Sequence, residues 1–338
     1  MPLVLAGFGH VGRAFGSLLL DKEVTLRFRY GLKLCLQAIL NSDGGLCSSA
    51  RSGLDRVIDI GTKPLAAYPN WRPGLQPQDV LGKINPGVFV ECTPSDIQTG
   101  EPGLGDIRTA LKTGWHVVTA NKGPLVVDFQ GLRNLARRNH VSLKYSAATA
   151  AALPTLDMAL YSLAGTEVLS IEGILNGTSN YILTRIGEGT GYAAALKEAQ
   201  EKGIAEHNPK LDVEGWDTAA KLLLIGNSVL GLGLKLRDIA VEGITRIPPK
   251  LPARAKQEGK AVKLIGYLTR AGSHWRAGVS PRAIDRSHPL FGVVGTNKGI
   301  SFTTDTMGSV TATGGKSDPR GAAAALLKDI IHIFARVQ

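Results

Sequence analysis

The apolar run Leu3-Val4-Leu5-Ala6 passes without a break into Gly7-Phe8-Gly9-His10-Val11-Gly12, and Val11, Phe15, Leu18 and Leu19 then recur at helical spacing. A buried strand, a glycine turn and a helix in that order constrain this chain more than any other feature. The first glycine permits the tight turn, the second lets backbone approach a pyrophosphate, and the third lets the helix pack on its strand. The helix N-terminus adds free N–H groups and partial positive charge. Gly7, Phe8, Gly9, His10, Val11 and Gly12 are therefore candidate dinucleotide contacts.

The same alternation continues. Residues 32–40, 88–92, 116–119 and 141–145 read as strands, with helices over 107–112 and 130–139 between the later ones. Strands alternating with helices imply right-handed crossovers and a Rossmann-type parallel α/β sheet. Residues 41–85 are glycine- and proline-rich and read as an irregular segment with a short helix. Beyond about residue 147 the pattern changes to longer helices at 153–164, 193–202 and 215–230, mixed with β-like runs at 168–175 and 278–280, an α+β arrangement. Prolines at 248, 249 and 252 predict an extended linker or turn over 247–252 and exclude a helix there. Residues 322–337 form an alanine-rich helix whose stripe of Leu326, Ile330, Ile333 and Phe334 must be buried. We expect it to return to the nucleotide domain. This gives 1–147 with 306–338 as the dinucleotide domain and 148–305 as the catalytic and dimerisation domain.

Composition removes other classes. With 338 residues, 43% of them hydrophobic and only three cysteines, the chain is neither disordered nor a disulfide scaffold. The net charge of +11 is scattered; its densest cluster, Arg133, Arg137, Arg138 and Lys144, lacks interleaved aromatics, so no nucleic-acid partner is expected. Cys35, Cys47 and Cys92 form no CxxC pair, which fits a reducing compartment and excludes structural zinc. No secretory leader and no run near 18 apolar residues is present, so a cytoplasmic location without membrane contact is expected.

At the end of the second strand, where a carboxylate would bind ribose hydroxyls and repel a 2′-phosphate, the chain has Asn41 and Ser42. With Ser48, Ser49 or Arg51 nearby, this favours NADP over NAD, unless Asp43 takes the ribose. Thr93 and Pro94, Asn121-Lys122 and Ser146 to Thr149 follow the ends of later strands, the ligand edge of an open α/β sheet. Gly315-Lys316-Ser317 is no P-loop, because Val310 stands where that pattern needs a glycine. Asn176-Gly177-Thr178-Ser179-Asn180 reads as a turn with a Thr or Ser capping the next helix, and its polar groups suit ligand binding. Glu206, Asp212, Asp217 and Lys221 form a second constellation. Asp217 and Lys221 share one helix face amid Trp216, Ala219, Ala220, Leu223 and Leu224, an apolar setting for an ion pair.

Taken together these residues resemble homoserine dehydrogenases. GFGHVG at 7–12, the Thr-Ala-Asn-Lys run ending at Lys122, GILNGTSNYIL at 173–183, and the stretch from Glu206 through Asp212 and Asp217 to Lys221 carry the resemblance. It implies an NAD(P)-dependent interconversion of L-homoserine and L-aspartate 4-semialdehyde, toward threonine and methionine, by a homodimer. By position, Lys122 and Lys221 look like the active-site lysines. Glu206 and Asp217 look like the carboxylates around substrate, Asn176, Gly177 and Thr178 like further substrate contacts, and Gly314 and Gly315 like cofactor contacts. The resemblance also implies a monovalent cation, Na+, at the backbone of Ser146, Thr149, Ala151 and Leu153, although the family's leading glutamate is replaced by Ser146. The usual glycine-rich turn near residue 315 is altered, and with the chain reaching only Gln338 no appended regulatory domain is expected. In this reading Lys221 touches the reacting oxygen, and it or Lys122 exchanges the proton. The rival readings are another amino-acid or semialdehyde oxidoreductase, and a dinucleotide-sensing protein without activity.

Overall fold

The opening run is strand β1 (Pro2–Ala6), its last four residues fully buried. The computed structural model describes residues 1–48, 54, 63–248, 250–315 and 318–334. Ser49, Arg51, Lys316 and Ser317 lie outside the described residues, as does the expected continuation of the last helix beyond 334. The chain divides into two units, Met1–Ala151 with Asp318–Gln338, and Ala152–Ser317.

In the first unit β1 leads into α1 (His10–Tyr30), β2 (Cys35–Asn41), β3 (Gly44–Cys47), β4 (Trp71–Pro73), α2 (Pro77–Leu81), β5 (Val88–Glu91), α3 (Gly103–Lys112), β6 (His116–Thr119), α4 (Gly123–Arg138), β7 (Leu143–Lys144) and α5 (Ser146–Ala150). The sheet order is β4-β3-β2-β1-β5-β6-β7. Strands β2, β1, β5, β6 and β7 run parallel, and β3 and β4 add antiparallel edges. Those edge strands lie in the stretch read as irregular. Their pairing needs the bare backbone of Gly45, where a Cβ would come within 2.4 Å of Leu40 and 2.7 Å of the Ile39 carbonyl. The helix expected over 130–139 is the second half of α4. Asp128 leaves helical geometry there, and its carboxylate caps the new turn through the Gly131 N–H at 3.0 Å. The returning helix, Pro319–Phe334, packs on α1 and buries Ala323, Leu326 and Ile330 in the core with Leu3, Leu5, Phe15 and Leu18. Phe334 meets the His116 ring edge-on, with centroids 5.0 Å apart.

The second unit runs through short turns at Thr155–Asp157 and Met158–Ser162 where one longer helix was expected. It continues with β8 (Val168–Ile174), α6 (Gly177–Gly187), α7 (Tyr192–Glu201), α8 (Trp216–Val229), β9 (Ala240–Val241), α9 (Lys250–Gln257), β10 (Ala261–Ala271), β11 (His274–Ile284), β12 (Lys298–Thr304) and β13 (Ser309–Gly314). The sheet order is β13-β12-β8-β10-β11-β9. Helix α8 lies close on it: a Cβ at Gly266 would come within 3.0 Å of Thr218, and one at Gly226 within 2.8 Å of Leu268.

Two expectations are corrected here. The turn over 247–252 gives way to helix α9 at Lys250, because Pro252 falls in the first helical turn, where the N–H it lacks would have no partner. The boundary expected at 306 falls at 317/318, because β13 pairs with β12 from Thr303↔Ser309 to Lys298↔Gly314 and so belongs to the second sheet. Gly314 and Gly315 therefore sit in the second unit, not the nucleotide one. Among the described residues no helix is long and apolar enough to cross a membrane.

Candidate active site

The glycine turn of the first unit has three different reasons for its three glycines. Gly7 has φ +88°, and a Cβ there would lie 2.4 Å from the Cys92 carbonyl carbon. At Gly12 it would lie 2.0 Å from the Gly7 carbonyl oxygen, so α1 can pack on β1 only without a side chain. A Cβ on Gly9 meets nothing within 4 Å: this glycine is required by no protein neighbour, and its open face is where a pyrophosphate would approach. Gly9 is also the N-cap of α1 and brings no capping side chain, leaving the helix N–H groups to a ligand. The Arg13 guanidinium stands 4.5 Å over the Phe8 ring.

At the end of β2, the Asn41 side-chain oxygen accepts from the N–H groups of Asp43 at 3.0 Å and Gly44 at 3.1 Å. It shapes the turn and carries no charge. The Ser42 hydroxyl bonds the exposed Asp43 carboxylate at 3.1 Å. Beyond β5 and β6, the Lys122 N–H donates to the Ser95 hydroxyl at 3.1 Å, and that hydroxyl donates to the Asn121 side-chain oxygen at 2.7 Å. Thr93, Pro94 and Lys122 thus lie on two loops tied to each other.

Acidic groups crowd behind these loops. Burial first, then the charges of Glu91 and Glu101, push the Asp106 carboxyl up to about 7. A carboxyl whose folded value is raised costs no stability below the unfolded value near 3.8, loses stability as pH climbs from there to about 7, and carries the full penalty above. Asp106→Asn is therefore expected to raise the thermal midpoint at pH 8 by a few degrees, about 1–2 kcal/mol, and to leave it unchanged near pH 4. Equal gains at both pH values would reject this account.

The second unit assembles the other constellation. Asn176 caps α6 itself, its side-chain oxygen taking the Ser179 N–H at 2.8 Å, so the cap is Asn176 and not the expected Thr or Ser. Its amide nitrogen donates to Asp212 at 2.7 Å and to Asp217 at 2.8 Å. Lys221 donates to Asp217 at 2.6 Å and to the Leu175 carbonyl at 2.9 Å. The Lys221 and Asp217 side chains are only 14% and 11% exposed, so this is no idle surface pair. Burial, and then the neighbouring Asp217 charge, raise the Asp212 carboxyl above its ordinary range. The cluster thus sets two carboxyls against one ammonium.

Much of the hydrogen-bonding capacity of the polar run is taken up within the protein. Asn176 is committed to the two aspartates and the cap, Thr178 donates to the Ile204 carbonyl at 3.0 Å, and Asn180 donates to the carbonyls of Val293, Gly295 and Asn297 at 3.0–3.3 Å. These residues shape the site from the first turn of α6. Gly177 is buried beside them. The Glu206 carboxylate is exposed, and only its main-chain oxygen is bonded, by Gln200 at 3.3 Å. Asp212, which the spacing included without a role, is the second acid of the cluster.

The loop expected to hold a cation is occupied internally. The Ser146 N–H and hydroxyl bond the buried Asp329 carboxylate at 2.9 and 2.7 Å, its carbonyl accepts the Thr149 hydroxyl at 2.8 Å, and the Leu153 carbonyl accepts the Thr155 N–H at 2.8 Å. Ala151, at φ +53°, ends the first unit. Ser146, Thr149, Ala151 and Leu153 bring no charged ligand, and the carbonyls of Ser146 and Leu153 each already accept a protein donor.

Comparison with known proteins agrees with both halves. Residues 7–146 match the family model described as homoserine dehydrogenase, NAD binding domain, and residues 154–331 match that described as homoserine dehydrogenase. The chain is 37% identical over 337 residues to a homoserine dehydrogenase of Methanocaldococcus jannaschii, covering 99% of this chain and 98% of that one. It is 33% identical over 336 residues to an NAD(+)-dependent homoserine dehydrogenase of Pseudomonas canavaninivorans, covering 98% and 95%. The crystal structure of a putative homoserine dehydrogenase from Archaeoglobus fulgidus superposes with a TM-score of 0.86 at 34% identity, over 99% of both chains. The two family models follow one another along the chain, the first spanning the glycine turn and the second the largely buried Lys221–Asp217 pair, and the chain belongs to the homoserine dehydrogenase family, NAD(P)-dependent oxidoreductases acting on a CH–OH group.

Proposed function

We propose that this enzyme interconverts L-homoserine and L-aspartate 4-semialdehyde, with Lys221 as the group that touches the reacting oxygen. The observation that carries this reading is the geometry of its ammonium. Two of its N–H groups are held by Asp217 and the Leu175 carbonyl, which leaves the third to point at a substrate oxygen. When bound, the nicotinamide would supply the hydride that the aldehyde carbon takes up in the reducing direction; Lys221 stabilises and protonates the developing alkoxide, and the reverse reaction returns the proton. Lys122 acts on the cofactor side, following the strand edge where dinucleotides bind. The carboxyl pair Asp212 and Asp217 suits a substrate carrying an amino group. We assign the dinucleotide to the glycine turn and to Thr93 and Pro94. The neutral Asn41 at the end of β2 supports NADP over NAD. No step calls on Na+.

A spectrophotometric assay with homoserine, run with NADP and NAD side by side, tests the reading. Turnover with homoserine and a higher kcat/KM for NADP are expected, and no homoserine-dependent reduction of either cofactor would overturn it. Asp212→Asn and Asp217→Asn should raise the homoserine KM about tenfold or more, as for loss of a charge-assisted hydrogen bond. Glu206→Gln, with its exposed carboxylate, should do less. An unchanged KM in all three would remove the carboxylates from substrate binding. Family membership supports a homodimer, testable by light scattering, and the free cysteines Cys35, Cys47 and Cys92 support a cytoplasmic enzyme.

A further inference from the structure

Glu91 closes β5 with a carboxylate that is 0% exposed and, among the described residues, has no ion-pair partner. Burial pushes its pKa up, and four hydrogen bonds from Thr119, Thr93 and Asn121 oppose that shift. Oε1 takes the Thr93 N–H at 2.8 Å, the Thr93 hydroxyl, and the Asn121 amide at 3.3 Å, while Oε2 takes the Thr119 hydroxyl at 2.6 Å. Thr119 Oγ1 in turn accepts the Asn121 N–H at 2.9 Å, and Thr93 Oγ1 accepts the Asn121 amide at 3.2 Å, so both hydroxyls link Glu91 to Asn121. Asn121 in turn takes the Ser95 hydroxyl and the Gly123 N–H, and the same Ser95 holds the Lys122 N–H. Nothing else fits in this space: a Cβ on Gly103 would come within 2.7 Å of the Asn121 amide and 3.1 Å of Glu91.

A buried carboxyl with four hydrogen bonds and no cation is a costly thing to build for packing alone. We infer that Glu91 is a positioning residue for the reaction: through Thr93, Thr119 and Asn121 it locks the loop of Thr93 and Pro94 to the loop of Lys122 and so fixes where the Lys122 ammonium stands. This rests on Lys122 being an active-site group. A glutamine at 91 would aim an N–H₂ at one side, so that a threonine hydroxyl would have to turn or an N–H would lose its acceptor.

The test is steady-state kinetics on Glu91→Gln, Thr119→Val, Thr119→Ser, Lys122→Ala and the double variant Glu91→Gln/Lys122→Ala. Glu91→Gln is expected to lower kcat by about ten- to a hundredfold, the scale of an ångström misplacement, while the homoserine KM moves by less than about threefold. Thr119→Val should fall in the same way and Thr119→Ser, which keeps the hydroxyl, should retain turnover; this pair carries the test if Glu91→Gln fails to fold. Because Glu91 acts through Lys122, the double variant should be no slower than Lys122→Ala. Glu91→Gln and Thr119→Val both within about twofold of wild type, or losses that multiply in the double variant, would overturn the inference. Lys122→Ala at full turnover would instead sink the active-site reading of Lys122, and the inference with it.

Discussion

Lys221→Ala is expected to lose at least about 100-fold in turnover, the usual worth of a positioned acid–base group, while binding NADPH nearly as well as wild type. The asymmetry follows from where the lysine sits. Its ammonium is held in the second unit by Asp217 and the Leu175 carbonyl, and the glycine turn belongs to the first. Truncation leaves Asp217 with its Asn176 bond, so the fold of α8 persists, but the donor to the substrate oxygen is gone. Lys221→Arg should not rescue it, since a planar guanidinium cannot take the place of a compact ammonium wedged between a carboxylate and a carbonyl. Stopped-flow reduction of the nicotinamide, beside fluorescence titration of NADPH, separates the two quantities. More than about a tenth of wild-type turnover in Lys221→Ala would count against the assigned role.

The glycine turn gives the second large effect, split by position. Gly9→Ala should fold normally, since its Cβ meets no protein atom, and should weaken dinucleotide binding by about tenfold or more, roughly 1.4 kcal/mol. Gly12→Ala should fail to accumulate as folded protein, because its Cβ would stand 2.0 Å from a backbone oxygen that has nowhere to go. Gly7→Ala should behave like Gly12→Ala, with the positive φ adding to the clash. Circular dichroism and NADPH titration distinguish the cases. Normal cofactor affinity in a folded Gly9→Ala would remove the pyrophosphate from this turn.

The glycine turn was legible in the sequence because each of its demands is local: three glycines in six residues, next to a strand and a helix. The Asp217–Lys221 pair was legible for the same reason, being one helical turn apart. Asn176 bridging Asp212 and Asp217 was not, because the partners are 36 and 41 residues away and only the fold brings them together. The polar run from Asn176 to Asn180 reads as a ligand surface, and a helix start makes demands of its own on such groups: Asn176 caps α6 as well as bonding both aspartates. Glu91 sits in Val88-Phe89-Val90-Glu91-Cys92, where an acid in an otherwise apolar strand was the available signal. Strand β3 escaped because glycines at 44 and 45 weaken the strand pattern, and β4 because it has only three residues and ends at Pro73. Pro252 reads as a helix breaker until its place in the first turn is known.

The division of the chain has a consequence for how the molecule is made. The first unit is interrupted at Ala151 and resumes at Asp318, and its core needs Ala323, Leu326 and Ile330 from the resumed segment. On the ribosome, the inserted unit is therefore complete and free to fold while the dinucleotide unit still lacks part of its interior. Until the returning helix emerges, the face of α1 that it covers stays open to water and to chaperones. The cofactor cannot act as a template for early folding, because the unit that holds it is the last to close.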